Sequence, residues 1–186
     1  FPRSPHAAFP ICGEETLSGG NVLMREPFAT RLLQRLRRLG VHTAIETAGD
    51  APLSRLLPLA RQCDEVLFDV KIMDEEQARS LLAMNLPRVL NNFMQLVAKG
   101  INVIPRVPLI PGYTLSETNM ARVLAFLLPS GIRQLRLLPF HQYGEPKYRL
   151  LGQEWGMQQV VPPTEEEISA MRLMAEREGF NVTVGG

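Results

Sequence analysis

The chain has 186 residues, with 20 Lys and Arg against 19 Asp and Glu, for a formal net charge of +1. That near balance argues against a nucleic-acid-binding protein and against a polybasic membrane anchor. A composition 45% hydrophobic and 21% charged suits a packed core, in one domain or a large part of one.

Residues 1–14 hold three prolines and no clear period, and read as an irregular lead-in. Residues 15–186 read as one α/β unit. Thr16-Leu17-Ser18 is a short strand closed by Gly19-Gly20. A helix follows over about 27–39, with Phe28, Leu32, Leu33, Leu36 and Leu39 at helical spacing, Pro27 in its first turn and Gly40 at its end. Val41 to Thr47 is the second strand, with a helix over about 52–61 after it. Glu65 to Lys71 is the third strand. Asp74 caps a helix over about 75–84, and a second helix covers about 87–99. Asn102 to Val107 is the fourth strand, although Pro105 inside it cannot donate a ladder bond. Ser116 opens a helix to about Leu128, and Gln134 to Leu138 is the fifth strand. After a polar stretch, Thr164-Glu165-Glu166-Glu167 is a capping-box pattern opening a helix over about 164–178. Asn181 to Val184 is a final strand.

Strand and helix thus alternate about five times, at roughly 24–35 residues per unit, the pattern of a parallel sheet built from βαβ units. The sheet is either curled as part of a (β/α) barrel or open and doubly wound. No apolar run approaches the ~20 residues of a membrane helix. Cys12 and Cys63 are the two cysteines, too few for a disulfide scaffold, a four-cysteine zinc site or a complete iron–sulfur motif. With no signal-peptide pattern, the chain reads as cytoplasmic, with its front end missing.

Sites in such folds form at the C-terminal ends of strands. Alternation puts Val66, Phe68 and Val70 on one face of the third strand and Leu67, Asp69 and Lys71 on the other. In the second strand Val41, Thr43 and Ile45 oppose His42, Ala44 and Glu46. Arg106 ends the fourth strand, His141 follows the fifth, and Gly19-Gly20 follows the first. One rim thus collects Gly19, Gly20, Glu46, Asp69, Lys71, Arg106 and His141. Such a mouth suits a zwitterionic, partly cationic ligand: carboxylates for the cation, Lys or Arg for a carboxylate, glycines for close approach. Singly, each has a plainer reading. Asp69 and Lys71 could be a structural ion pair, Glu46 a solvated strand-end carboxylate, Arg106 a loop clamp and His141 a surface histidine. Their coincidence on one rim favours a site.

Five stretches carry a resemblance: Thr16 to Gly20, His42 to Gly49, Asp64 to Lys71, Ile104 to Gly112 and Leu137 to Tyr148. The tail Val182 to Gly186 also fits. In order and spacing they resemble the glycyl-radical-enzyme activating enzymes of the radical S-adenosylmethionine superfamily, especially the activators of pyruvate formate-lyase type. The resemblance implies a partial (β/α) barrel of the radical SAM type, of which this chain is a C-terminal portion lacking the first β/α unit. It implies S-adenosylmethionine and a 4Fe-4S cluster as cofactors, a glycyl radical enzyme as partner and an electron donor such as flavodoxin. It also implies that reductive cleavage of the sulfonium makes the radical that activates the partner's glycine. Carried over by position, Gly19, Gly20 and Asn21 would meet the cofactor's amino group. Asp69, Val70 and Lys71 would line its amino-acid and ribose portion, and Arg106 and His141 would complete the pocket. Glu46 and Thr47 match a strand end that holds a monovalent cation in some members.

Two departures stand out. The family turn reads S-G-G-E-P, whereas this chain has Ser18-Gly19-Gly20-Asn21-Val22. The cysteine triplet that holds the cluster is absent, so radical chemistry by these residues alone is not expected. Two other readings remain open: a docking domain for a glycyl radical enzyme, and a barrel aldolase or lyase using Lys71 as a Schiff-base amine.

Overall fold

The structure is a computed structural model that describes residues 14–17, 26–144, 150, 152 and 156–185. Six strands lie in it: β1 (Glu14–Leu17), β2 (His42–Thr47), β3 (Glu65–Asp69), β4 (Val103–Leu109), β5 (Gln134–Pro139) and β6 (Asn181–Val184). Among the described residues the helices α1 (Glu26–Arg38), α2 (Leu53–Ala60), α3 (Glu75–Leu82), α4 (Leu86–Ala98), α5 (Glu117–Leu127) and α6 (Glu165–Arg177) connect them. The helix caps fall where the sequence put them. The Asp74 and Ser116 side chains accept from the Gln77 and Asn119 amides, and Thr164 with Glu167 forms a reciprocal capping box.

All five ladders are parallel, and the strand order is β1-β2-β3-β4-β5-β6. That order decides between the two architectures left open by the sequence. Crossovers between parallel strands are right-handed. A doubly wound sheet puts helices on both faces by reversing its strand order midway. Here the order never reverses, so every crossover helix falls on the same face. A sheet covered on one face only is a segment of a (β/α) barrel, with the other face turned inward.

Burial follows from this. On the helix side Ile45, Val66, Phe68, Val107, Leu109, Leu135 and Leu137 are almost wholly covered, packed against Leu33, Leu56, Leu59, Phe93, Leu96 and Leu127. Each such side chain contributes about 1.5–3 kcal/mol relative to exposure. Phe68 meets Phe93 edge to face, with centroids 5.2 Å apart. The inner face carries a separate small cluster of Ala44, Leu67 and Ile104. Above that apolar layer, towards the C-terminal strand ends, the inward positions become charged: Glu46, Asp69 and Arg106. The faces deduced for the second and third strands are those observed.

β4 contains Pro105 and Pro108 and still holds a central place. Alternate residues of a parallel strand bond to opposite neighbours. The carbonyls of Asn102 and Arg106 accept from β3, whereas the Leu109 carbonyl accepts from the Phe140 amide beyond β5. Even positions therefore face β3 and odd ones β5. The β5 ladder begins at Arg106, one residue after Pro105, and the β3 ladder ends at Arg106, two residues before Pro108. Each proline sits where the missing amide has no ladder partner to lose. This removes the sequence objection to the strand and lets it extend to Leu109. β1 also runs slightly earlier than expected, from Glu14.

Gly49, after β2, adopts φ +69°, and a Cβ placed there would lie 2.2 Å from Phe68 Cζ. Gly49→Ala is expected to cost about 3 kcal/mol, from the left-handed backbone and from overpacking the Phe68 ring. A urea-denaturation midpoint unchanged from wild type would contradict this account of the turn.

Candidate functional site

The inward charges form one connected group. Arg106 Nη1 donates to Glu46 Oε1 at 2.7 Å, and Nε and Nη2 both reach Asp69 Oδ1, at 2.9 and 2.8 Å. Asp69 and Arg106 are direct register partners in neighbouring strands, which brings their side chains side by side. Glu46 comes from β2, two strands away from β4, and the long guanidinium spans the gap. The Arg106 side chain is 9% exposed, Asp69 19% and Glu46 28%. Lys71 Nζ lies 4.0 Å from Asp69 Oδ2, so Asp69 faces a cation on each side.

Burial pushes the Asp69 carboxyl pKa up, against the lowering pull of Arg106 and then Lys71. Burial opposes the charge of Arg106, but its hydrogen bond to Glu46 and the field of Asp69 outweigh that, and its pKa is raised. The arginine therefore stays cationic.

A cavity of about 620 Å³ opens over this group, lined by Glu46, Arg106, Leu138, Pro139, Phe140, His141, Tyr143 and Gly185. Its volume is that of a small-molecule site. Two bonds beyond the regular ladders bring its walls together: Phe140 N–H to the Leu109 carbonyl and Gly185 N–H to the Leu137 carbonyl. The His141 and Tyr143 rings lie 4.2 Å apart, tilted by 33°. One wall is thus charged, one apolar and one aromatic.

Of the residues singled out from the sequence, Glu46, Arg106 and His141 line the cavity together, Asp69 touches it through Arg106, and Lys71 stands beside Asp69. Thr47 and Val70 are placed differently. Thr47 Oγ1 accepts from the Gly49 amide at 3.0 Å, and Val70 is 2% exposed within the helix-side core. Gly19, Gly20 and Asn21 lie outside the described residues.

Several contributors were not singled out. Tyr143, Phe140 and Gly185 lay within stretches that carried the resemblance, but none was named as a site residue. Two buried asparagines brace the strand-end loops. Asn92, on α4, donates to the carbonyls of Gly49 and Ala51 at 2.8 and 2.7 Å. Asn119, on α5, bonds Lys71, Met73 and Thr114. A signal for Asn92 existed: it falls on the buried α4 stripe with Val89, Phe93 and Leu96, where a carboxamide must find partners.

The charge set and the apolar and aromatic walls fit a zwitterionic ligand with a flat ring system, as S-adenosylmethionine is. They do not fit an iron–sulfur cluster. Among the described residues no group of three His, Cys, Asp or Glu could hold a metal ion. Cys63 precedes β3, at the opposite end of the sheet from the cavity, and burial pushes its thiol pKa up to about 12. No helix among the described residues is long and apolar enough to cross a membrane.

No family model matches the chain. It is 65% identical over 174 residues to the pyruvate formate-lyase 2-activating enzyme of Escherichia coli (strain K12), a match covering 94% of this chain and 60% of that protein. The chain thus spans about three fifths of that relative's length. The crystal structure of a domain of pyruvate-formate lyase-activating enzyme from Bacteroides vulgatus ATCC 8482 matches with TM-score 0.77 at 24% identity, covering 94% of this chain and 99% of that one. A radical SAM methyltransferase from Sphaerobacter thermophilus matches with TM-score 0.68 at 16% identity, over 88% of this chain and 47% of that one. The two structural likenesses establish the fold.

Arg106→Leu would strand two partly buried carboxylates. The expected cost is about 3 kcal/mol, the low end for a buried pair because both acids keep some water. The pH dependence of Asp69 has its own sign. Its folded pKa is raised, so its contribution is fully present below the unfolded value of about 4 and is lost as pH rises through the folded value. Asp69→Asn does not titrate, so its stability relative to wild type should improve from pH 4 to pH 7. Denaturant titrations at both pH values test this, and an opposite trend would mean that the Arg106 and Lys71 charges outweigh burial.

Proposed function

On the kinship of this chain with a glycyl-radical-enzyme activating enzyme, which spans 94% of its length, we propose that its cavity binds S-adenosylmethionine. We propose further that the protein serves the activation of a glycyl radical enzyme of pyruvate formate-lyase type. The observation that carries this reading is the Glu46–Arg106–Asp69 group beside an apolar and aromatic cavity, with Lys71 adjoining. A sulfonium amino acid brings two cationic groups and one carboxylate. Glu46 and Asp69 supply acceptors, Arg106 and Lys71 supply donors, and Leu138, Pro139, Phe140 and Tyr143 supply surface for the adenosyl portion. In this reading Val70 contributes backbone, and Thr47 shapes the turn after Glu46.

When bound in an intact activator, the cofactor supplies a carbon radical precursor. The residues of this chain bind and orient it, and they exclude water from its sulfonium. The cluster that would reduce the cofactor needs ligands other than the two cysteines of these 186 residues. A cytoplasmic setting, anaerobic metabolism and a flavodoxin-like electron donor belong to the same proposal. A second reading has one observation in its favour. With two cysteines, neither in a triplet, the chain could serve as a docking domain that meets a glycyl radical enzyme without acting on it.

Calorimetric titration of the chain with S-adenosylmethionine, and separately with S-adenosylhomocysteine, tests the binding. Asp69→Ala and Lys71→Ala should each weaken it about tenfold, or ~1.4 kcal/mol. Absence of binding by the wild-type chain, together with capture of pyruvate formate-lyase in a pull-down, would replace the first reading by the second.

A further inference from the structure

Lys71 stands one residue past the last bond of the β3–β4 ladder, in which Val70 N–H donates to the Arg106 carbonyl at 2.8 Å. From there to α3 the backbone runs outside the sheet. One side chain takes over where the ladder stops. Asn119 Nδ2 donates to the Lys71 carbonyl at 2.8 Å and to the Thr114 carbonyl at 3.0 Å, while Oδ1 accepts from Met73 N–H at 2.9 Å. Both amide hydrogens and the amide oxygen are engaged, on a residue 8% exposed.

The other end of this clamp is rigid. The Thr114 hydroxyl donates to the Pro108 carbonyl and accepts from Ile110 N–H at 2.9 Å. The amides of Tyr113, Thr114 and Leu115 all donate to the Ile110 carbonyl. Thr114 therefore sits in a closed turn at the end of β4, the strand that carries Arg106. Asn119 ties the loop of one site cation to the strand of the other.

We infer that Asn119 is a positioning residue. By clamping the Lys71 carbonyl and the Met73 amide to the turn after β4, it sets the lysine ammonium against Asp69 at the cavity. Without it the Lys71 carbonyl loses its partner, and the lysine can swing away from the carboxylate. The alternative is that Asn119 merely holds the fold. Asn92 separates the two. It is also buried, donates likewise to two carbonyls, those of Gly49 and Ala51, and braces the loop after β2 rather than the loop of Lys71.

The chain has three lysines, Lys71, Lys99 and Lys147, so trace acetylation read by mass spectrometry resolves each. An amine held against a carboxylate is sheltered from reagent on that side and reacts more slowly than one that swings free into water. Asn119→Ala should raise the acetylation rate of Lys71 severalfold relative to Lys99, whereas Asn92→Ala should lower thermal stability and leave that ratio unchanged. Asn119→Asp keeps an acceptor for Met73 but loses both donors. It should reproduce the Lys71 change if the alanine variant does not fold. An unchanged ratio in the folded Asn119 variants, or an equal change in Asn92→Ala, overturns the inference. The ligand arm rests on the proposed function: S-adenosylmethionine should bind about tenfold more weakly to the Asn119 variants. If the wild-type chain does not bind it, the cofactor reading fails while the labelling ratio still decides the role of Asn119.

Discussion

The bond system on which the inner face depends is the guanidinium of Arg106 between Glu46 and Asp69. Two carboxylates at the ends of neighbouring strands repel each other, and burial adds to the penalty on their charge. An arginine from the next strand removes both difficulties, because its planar fork offers donors in two directions at fixed angles. A lysine at that position could not reach both acids with the same geometry. The three strand ends are thereby drawn together over the apolar layer of Ala44, Leu67 and Ile104. Counting Lys71, the group holds two acids and two bases. Each charge of a ligand that carries both signs, cation or carboxylate, finds an opposite partner in it.

The loops above the strands are held by a different device, used twice. Asn92 and Asn119 each stand on the helix side of the sheet and send a carboxamide one strand further back, Asn92 to the loop after β2 and Asn119 to the loop after β3. Each thus satisfies carbonyls that the sheet no longer covers. Gly49 belongs to the first of these loops, and its lack of a side chain lets Phe68 fill the core beneath. The helix-side core and the inner-face site are therefore coupled at the loops, although their side chains point to opposite faces.

Much of this was legible in the sequence. Period-two alternation separated the core face from the site face in β2 and β3, and the repeat of strand and helix gave the parallel sheet. Strand order was not legible, since local pattern does not say which strand pairs with which. The order alone distinguishes a curled sheet from a doubly wound one. Pro105 and Pro108 counted against β4 until the register revealed which neighbour each residue faces. The rim of Glu46, Asp69, Lys71, Arg106 and His141 was legible as a coincidence of strand ends. Their partners were not, because side-chain length and inter-strand geometry decide that Arg106 takes both acids. Thr47 and Val70 entered through the resemblance rather than through the pattern, and alternation had already set Val70 on the helix side.

In the proposed reading, binding a sulfonium cofactor and reducing it are separable demands. The first needs charges of both signs, an apolar wall and braced loops, all supplied by the C-terminal ends of β2 to β6. The second needs soft ligands grouped around metal, and the cysteine that is placed, Cys63, lies at the far end of the sheet with a thiol that burial keeps protonated. The chain matches 60% of the length of the E. coli activator. The Glu46–Arg106–Asp69 group and the two asparagine braces are closed within this chain, so the pocket's geometry depends only on the sheet and its loops.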